Sequence, residues 1–201
     1  MLVYVTGNYG KYIGVRDQAI RDGIKVDFMN FDFDEPDVND IEVISKAKVL
    51  NAYKLCNCPC FVADTGFYIK NFPNNPEYPG AFVKRSGISS DIDNLLDIMK
   101  DVKDRTCKFV DCLTYYNGNE FYTFYGISEG NLSFVKKGNE LKKAKSNLWY
   151  VFIPNNCNKT LAEMTDEERL NRNDGHTSAT EEFFKWYKEN VLKGKLTLKR
   201  N

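Results

Sequence analysis

The chain has 201 residues, 42% of them hydrophobic and 14% aromatic, enough for one sizeable core. Its 28 Lys and Arg balance 28 Asp and Glu, which argues against a protein whose main task is gripping long nucleic acid. No run approaches about 18 consecutive apolar residues, and the start lacks a basic segment before an apolar one, so a soluble, cytoplasmic protein is expected, without membrane span or signal peptide.

"MLVYV" reads as a buried strand, and "KYIGVRDQAIRDG" as a helix stopped by Gly23. "IKVDFMNFD" alternates Ile24, Val26 and Phe28 with Lys25 and Asp27, a second strand. After the acidic turn "DEPDVND", the segment "DIEVISKAKVLNAYKL" reads as a helix with Val43, Ala47 and Leu50 on its apolar face. "CFVAD" is a third strand, cut off by "TG". This alternation of strand and helix predicts an α/β fold.

Residues 70–90, rich in Pro, Gly and Asn, read as a long loop of the kind that usually serves function. "SSDIDNLLDIMKDV" is a further helix, and Asn117-Gly118 between "CKFVDCLTYY" and "FYTFYGISEG" predicts a hairpin. The lysine-rich stretch Lys136 to Lys145 suits a polyanion or simply solvent. "LWYVFIP" predicts a last strand. Thr165 in "TDEE" and Ser178 in "SATE" predict two helix starts, the second helix with Ala179, Phe183, Tyr187 and Val191 on one face. No internal repeat divides residues 1–201, so one domain is expected.

Cys56, Cys58 and Cys60 lack the spacing of common zinc modules and a second Cys/His cluster, and read as small apolar residues. The chemistry is better sought in four other places. Thr6-Gly7-Asn8 with Lys11 stands where a strand meets a helix, a natural anion site and equally a plain N-cap. Asp64 closes an apolar run, where a carboxylate can hold Mg²⁺ or accept a proton from water, or merely form a turn before Gly66. Asp34, Glu35 and Asp37 offer a second metal ligand or a solvated acidic turn. Lys46 and Lys84 supply cations that, with the rest, suit a metal-bound polyphosphate.

In order and context these pieces resemble the inosine triphosphate pyrophosphatase family. "TGNYGK" is similar to its opening T-G-N-x-x-K, "VADTGFYI" to its central D-[ST]-G segment, and "YPGAFVK" to its P-G loop. "FIPNNCNKTLAEMTDEER" is similar to F-x-P…K-T-x-A-E-M-T-x-E-E-K. The resemblance implies a curved mixed β-sheet with flanking helices, in two lobes with the active site between them. It implies a Mg²⁺-dependent homodimer that converts ITP, dITP or XTP to monophosphate and pyrophosphate. It assigns phosphate binding to Thr6, Gly7, Asn8, Lys11, Lys46, Thr65 and Lys84. Asp64 becomes metal ligand and proton acceptor, and Asp37 the second metal ligand, with Asp34 or Glu35 as substitutes.

The base-binding half departs from the pattern. Where the family reads F-G-[YW]-D-P-x-F, this chain reads "SNLWYVF", with Trp149 at the acidic position. The family's S-H-R is here Gly175-His176-Thr177, without the arginine. Its preceding lysine falls on Arg169 or on Asn171, depending on the end from which the loop is counted. Altered or relaxed base choice is therefore expected, with Trp149 or Tyr150 stacking on the base. A nucleotide sensor that kept the fold and lost turnover is the alternative from another class.

Overall fold

The computed structural model describes residues 1–139 and 146–194. The last six residues of the lysine-rich stretch, 140–145, lie outside the described residues. Strands β1 (Val3–Val5), β2 (Asp27–Met29), β3 (Cys60–Ile69), β4 (Tyr78–Gly80), β5 (Thr106–Tyr116), β6 (Phe121–Leu132) and β7 (Phe152–Pro154) form one mixed sheet. Its order is β2-β1-β3-β5-β6-β7, with β4 paired to β3. Helices α1 (Tyr9–Asp22), α2 (Ile41–Cys56), α3 (Val83–Ser86), α4 (Ile92–Ile98), α5 (Asp166–Asn171) and α6 (Ala179–Tyr187) flank it. This is the mixed α/β architecture expected.

Local chemistry sets the boundaries. Asn8 caps α1 by accepting the Lys11 amide, and Gly23 at φ 66° ends it in the left-handed region that favours glycine. Thr165 and Glu168 form the expected reciprocal capping box on α5, and Ser178 caps α6 through the Glu181 amide. The hairpin at Asn117-Gly118 joins two long antiparallel strands.

Three expectations need correction. First, β3 is not cut off after Asp64. It continues through Thr65 and Gly66 to Ile69, because β5 pairs with it along its whole length. Second, α2 turns a different face inward. Ile41, Ile44, Ser45, Val49 and Ala52 are buried, while Val43 and Leu50 are exposed. Ile44 and Val49 lie five apart and Ile41 and Ile44 three, a stripe displaced about one residue from the expected one. Third, "LWYVFIP" is not one strand. Asn147–Tyr150 makes a 3-10 turn capped by Ser146, and only Phe152–Pro154 joins the sheet. The loop over 70–90 likewise contains β4 and the short α3.

Alternation along β3 and β5 places the core. Phe61 and Ala63 pack with Leu113, Tyr115 and the aromatic face of α6. Phe67 and Ile69, on the same face of the strand, pack with Cys107, Phe109 and Phe152 in another cluster. Between these two clusters the same face carries Thr65 and, directly across, Asp111. The next position across, on β6, is Gly126. So a polar row with no side chain at one end interrupts an otherwise apolar face.

Candidate active site

β3 has a gap on one edge. β1 pairs with it only at Cys60 and Phe61, and β4 only from Phe67 to Ile69. Among the described residues, 62–66 between them have no strand partner on that side. A cavity of about 690 Å³ opens around this gap and reaches both faces of the sheet. Asp64 enters it from the face covered by α2, and Thr65 from the opposite face.

One end of the cavity gathers cations and carboxylates. The turn Thr6-Gly7-Asn8 lines it at the carboxyl end of β1. Thr6 Oγ1 accepts the Asn8 amide at 3.1 Å, and Asn8 Oδ1 accepts the Lys11 amide at 3.0 Å. The Lys11 ammonium donates to the Ala63 carbonyl at 2.9 Å, reaching the unpaired edge of β3. Lys84 enters from α3 and pairs with Asp32 at 2.5 Å, which holds the Asp32 carboxyl below its ordinary pKa. A Cβ on Gly7 would stand 3.1 Å from the Asp32 Cβ, so the turn and this carboxylate are in close approach.

The lysine beside Asp64 is Lys48, not Lys46. Lys48 Nζ donates to Asp64 Oδ1 at 2.5 Å and to Glu35 Oε1 at 2.6 Å. Burial works against its charge, but the two carboxylates more than compensate, and its pKa is raised. Lys46 pairs with Glu42 at 2.6 Å, one helical turn back, and does not line the cavity. The displaced face of α2 explains the difference. Lys48 follows Ile41, Ile44 and Ser45 at helical spacing on the inward face, and Lys46 does not.

The second-carboxylate expectation is corrected in the same way. Asp37 is 90% exposed at its side chain and pairs with Arg85, away from the cavity. Glu35 lines the cavity and shares Lys48 with Asp64. Asp64 itself is buried, and among the described residues its Oδ2 has no hydrogen-bond partner. A buried carboxylate oxygen left unmatched is costly unless a ligand satisfies it. With Glu35 close by, these donors fit a hard divalent cation that takes one or two carboxylates and completes its shell with water and phosphate. No closed group of three or more His, Cys, Asp or Glu exists among the described residues.

The other end of the cavity is assembled from loops. Trp149 lines it from the 3-10 turn, and the Arg169 guanidinium lies 5.4 Å from its ring centre. Arg169 is occupied by the Leu161 carbonyl at 2.8 Å, the Met164 carbonyl and the Asp166 carboxylate, so it braces this wall. Asn171 does not line this cavity. Thr177 accepts the Ile127 amide on its Oγ1 at 3.0 Å and donates its own amide to the Ile127 carbonyl at 2.9 Å. That clamps the loop onto β6 where Gly126 leaves room; a Cβ there would lie 2.7 Å from the Ala179 nitrogen. His176 lines the cavity with Nδ1 at 2.6 Å from Asp174.

Sequence reasoning missed Asp111, Lys48 and Arg172. Thr65 Oγ1 donates to Asp111 Oδ1 at 2.6 Å on the cavity floor. Asp111 had a signal: it stands on the apolar face of its strand, between Phe109 and Leu113. Arg172 lines the cavity and donates from Nε to Asp174 at 2.7 Å. Only a changed loop length marked it.

The model of the Ham1 family matches residues 2–186. A dITP/XTP pyrophosphatase of Saccharolobus solfataricus is 27% identical over 82% of this chain and 82% of its own length. One from Methanopyrus kandleri is 26% identical over 94% of this chain and 97% of its own. Among solved structures, a HAM1 protein from Coxiella burnetii superposes with a TM-score of 0.76 at 19% identity, covering 94% of this chain and all of that one. The Staphylococcus aureus Ham1 protein gives a TM-score of 0.71 at 19% identity, over 93% and 98% of the two chains. These structures share the fold.

Proposed function

We propose that this chain, which belongs to the Ham1 family, hydrolyses purine nucleoside triphosphates of the ITP, dITP and XTP kind to the monophosphate and pyrophosphate. The carrying observation is the unmatched Asp64 Oδ2, buried beside Lys48 at the cationic end of the cavity. In this reading the triphosphate lies against Thr6, Gly7, Asn8 and Thr65, with Lys11, Lys48 and Lys84 neutralising its charge. Substrate would displace Lys84 from Asp32.

Water adds to the α-phosphorus, the bond to the bridging oxygen breaks, and pyrophosphate leaves. Asp64 takes the proton that the water loses. Lys48 holds Asp64 in place through Oδ1, which leaves Oδ2 turned to the reaction. Asp64 and Glu35 would hold Mg²⁺, which when bound would neutralise charge on the phosphates and lower the pKa of a bound water. Lys46 and Asp37 carry no part of this reading.

The proposal extends to removal of non-canonical nucleotides from the pool, in the cytoplasm, by a homodimer. Among the described residues no helix is long and apolar enough to cross a membrane. Pyrophosphate release from a panel of NTPs and dNTPs with Mg²⁺ tests the reaction, and sedimentation of the free chain tests the dimer. Binding of ITP without release of pyrophosphate would overturn hydrolysis and leave a nucleotide sensor.

A further inference from the structure

The polar row across the middle of the sheet holds a carboxylate with no part in the proposed reaction. Asp111 on β5 stands directly across from Thr65 on β3 and from Gly126 on β6. It shares the face of Thr65, opposite to the one from which Asp64 enters, so it does not belong with the pair of Asp64 and Glu35. Thr65 Oγ1 donates to Asp111 Oδ1 at 2.6 Å. Among the described residues Oδ2 takes no hydrogen bond, and Asp111 is half-buried and lines the cavity.

The neighbours of Asp111 define what part of a ligand it meets. On one side is Thr65, assigned to the phosphates, one strand spacing of about 4.8 Å away. On the other side, Gly126 is covered by the loop into α6: a Cβ there would lie 2.9 Å from the Thr177 carbonyl oxygen and 2.7 Å from the Ala179 nitrogen. Along β5, Phe109 lines the same cavity and belongs to the core cluster against which Trp149 packs. Asp111 therefore stands between the cationic end and the loop-built end. A carboxylate repels phosphate oxygens and accepts from hydrogen-bond donors. Between a triphosphate and a base, the donors that a nucleotide offers are the hydroxyls of its sugar.

We propose that Asp111 reads the sugar: Oδ2 accepts from a ribose hydroxyl, while Thr65 fixes the carboxylate through Oδ1. The cavity then favours ribonucleotides over deoxy counterparts, because a nucleotide lacking that hydroxyl leaves Oδ2 without its donor. The 2′- and 3′-hydroxyls lie side by side on one edge of the ring, and either meets this chemistry. dITP remains a substrate, at lower efficiency if the 2′-hydroxyl is the one read. The inference rests on the reading that the cavity takes a nucleoside triphosphate with its phosphates beside Thr65.

The test compares kcat/KM of the parent for ITP and for its 2′-deoxy and 3′-deoxy forms at fixed Mg²⁺. At least one deoxy form should fall about tenfold or more below ITP, as one hydrogen bond to a charged acceptor is lost. Equal values for all three overturn the proposal without any variant. In Asp111→Ala, ITP should lose its advantage, and the ratio to that deoxy form should fall to about one. Freeing Thr65 costs all three substrates alike, so an unchanged ratio means a merely structural role and overturns the proposal. A ratio that moves with the base, between ITP and ATP, and not with the sugar also overturns it. If the parent releases pyrophosphate from no triphosphate, hydrolysis fails separately, and calorimetry with IMP and its two deoxy forms decides this inference. Binding about tenfold weaker for one deoxy form supports it; equal binding of all three, or none, overturns it.

Discussion

The two ends of the cavity are built differently. The end proposed for the phosphates rests largely on regular structure: the turn after β1, the inward face of α2 and the middle of β3 each deliver one or two side chains. The loop-built end, which the proposal leaves for the base, rests on the 3-10 turn at Trp149 and on residues 172–177, held down by the Ile127 and Asp174 contacts. A helix or strand fixes where a charge stands to fractions of an ångström, as chemistry on a phosphate requires. A clamped loop can change length and supply an arginine from a new position without moving the sheet. The comparison predicts that phosphate-end changes cost turnover alike for every base, and that base-end changes alter the ratio between bases.

Asp64→Asn should give the largest effect. Several kcal/mol of charge stabilisation are lost, roughly a hundredfold or more in kcat for every triphosphate. Base-dependent losses would break the comparison. Next come Lys11→Ala and Lys48→Ala. Each removes a charge-assisted contact of roughly 1.5–3 kcal/mol, about ten- to a hundredfold in kcat/KM. The control is Lys46→Ala, whose exposed pair with Glu42 predicts a change within about twofold. Kinetics in which Lys46→Ala loses as much as Lys48→Ala would show that α2 was read on the wrong face.

Arg172→Ala sharpens the other side. The ITP-over-ATP ratio of kcat/KM should shift about tenfold, the worth of one hydrogen bond to a neutral acceptor, while the phosphate-end changes leave that ratio alone. The smallest effect is on stability and comes from Asp174. Burial works against its charge, but Arg172 and His176 outweigh that, and its folded pKa lies below the ordinary carboxylate value of about 3.9. The carboxylate therefore stabilises the fold above that ordinary value, and the contribution disappears as pH falls through the lower, folded one. Denaturation of parent and Asp174→Asn should differ most at neutral pH and converge in acid. A gap that widens on acidification would contradict the sign.

The turn at Thr6, Gly7 and Asn8 and the helix starts at Thr165 and Ser178 were readable because they sit at punctuation, the first at a strand–helix junction and the other two at N-caps. The errors arose where periodicity alone had to choose. In α2, both Val43-Ala47-Leu50 and Ile41-Ile44-Val49 follow helical spacing, and only packing against the sheet selects the second. The wrong stripe then carried Lys46 in place of Lys48. For β3, the "TG" after Asp64 looked like an ending because the partner that continues the strand, β5, lies some forty residues away. Arg172 and Asp174 could not be read at all. Their meeting with His176 depends on a turn within the loop, including Gly175 at φ 74°, that no short pattern encodes.

The gap in the edge of β3 has one more consequence. Unpaired strand edges invite other chains to pair with them and are a recurrent route to aggregation. Here the open stretch spans only residues 62–66 and is bounded by paired segments on both sides. The Lys11 ammonium already occupies the Ala63 carbonyl within it. A foreign strand would need to enter between β1 and β4, displace a charge and leave it without its acceptor. The protein thus keeps a length of bare backbone in the middle of its sheet while denying it to any passing strand, and the lysine assigned to substrate phosphate is also the guard.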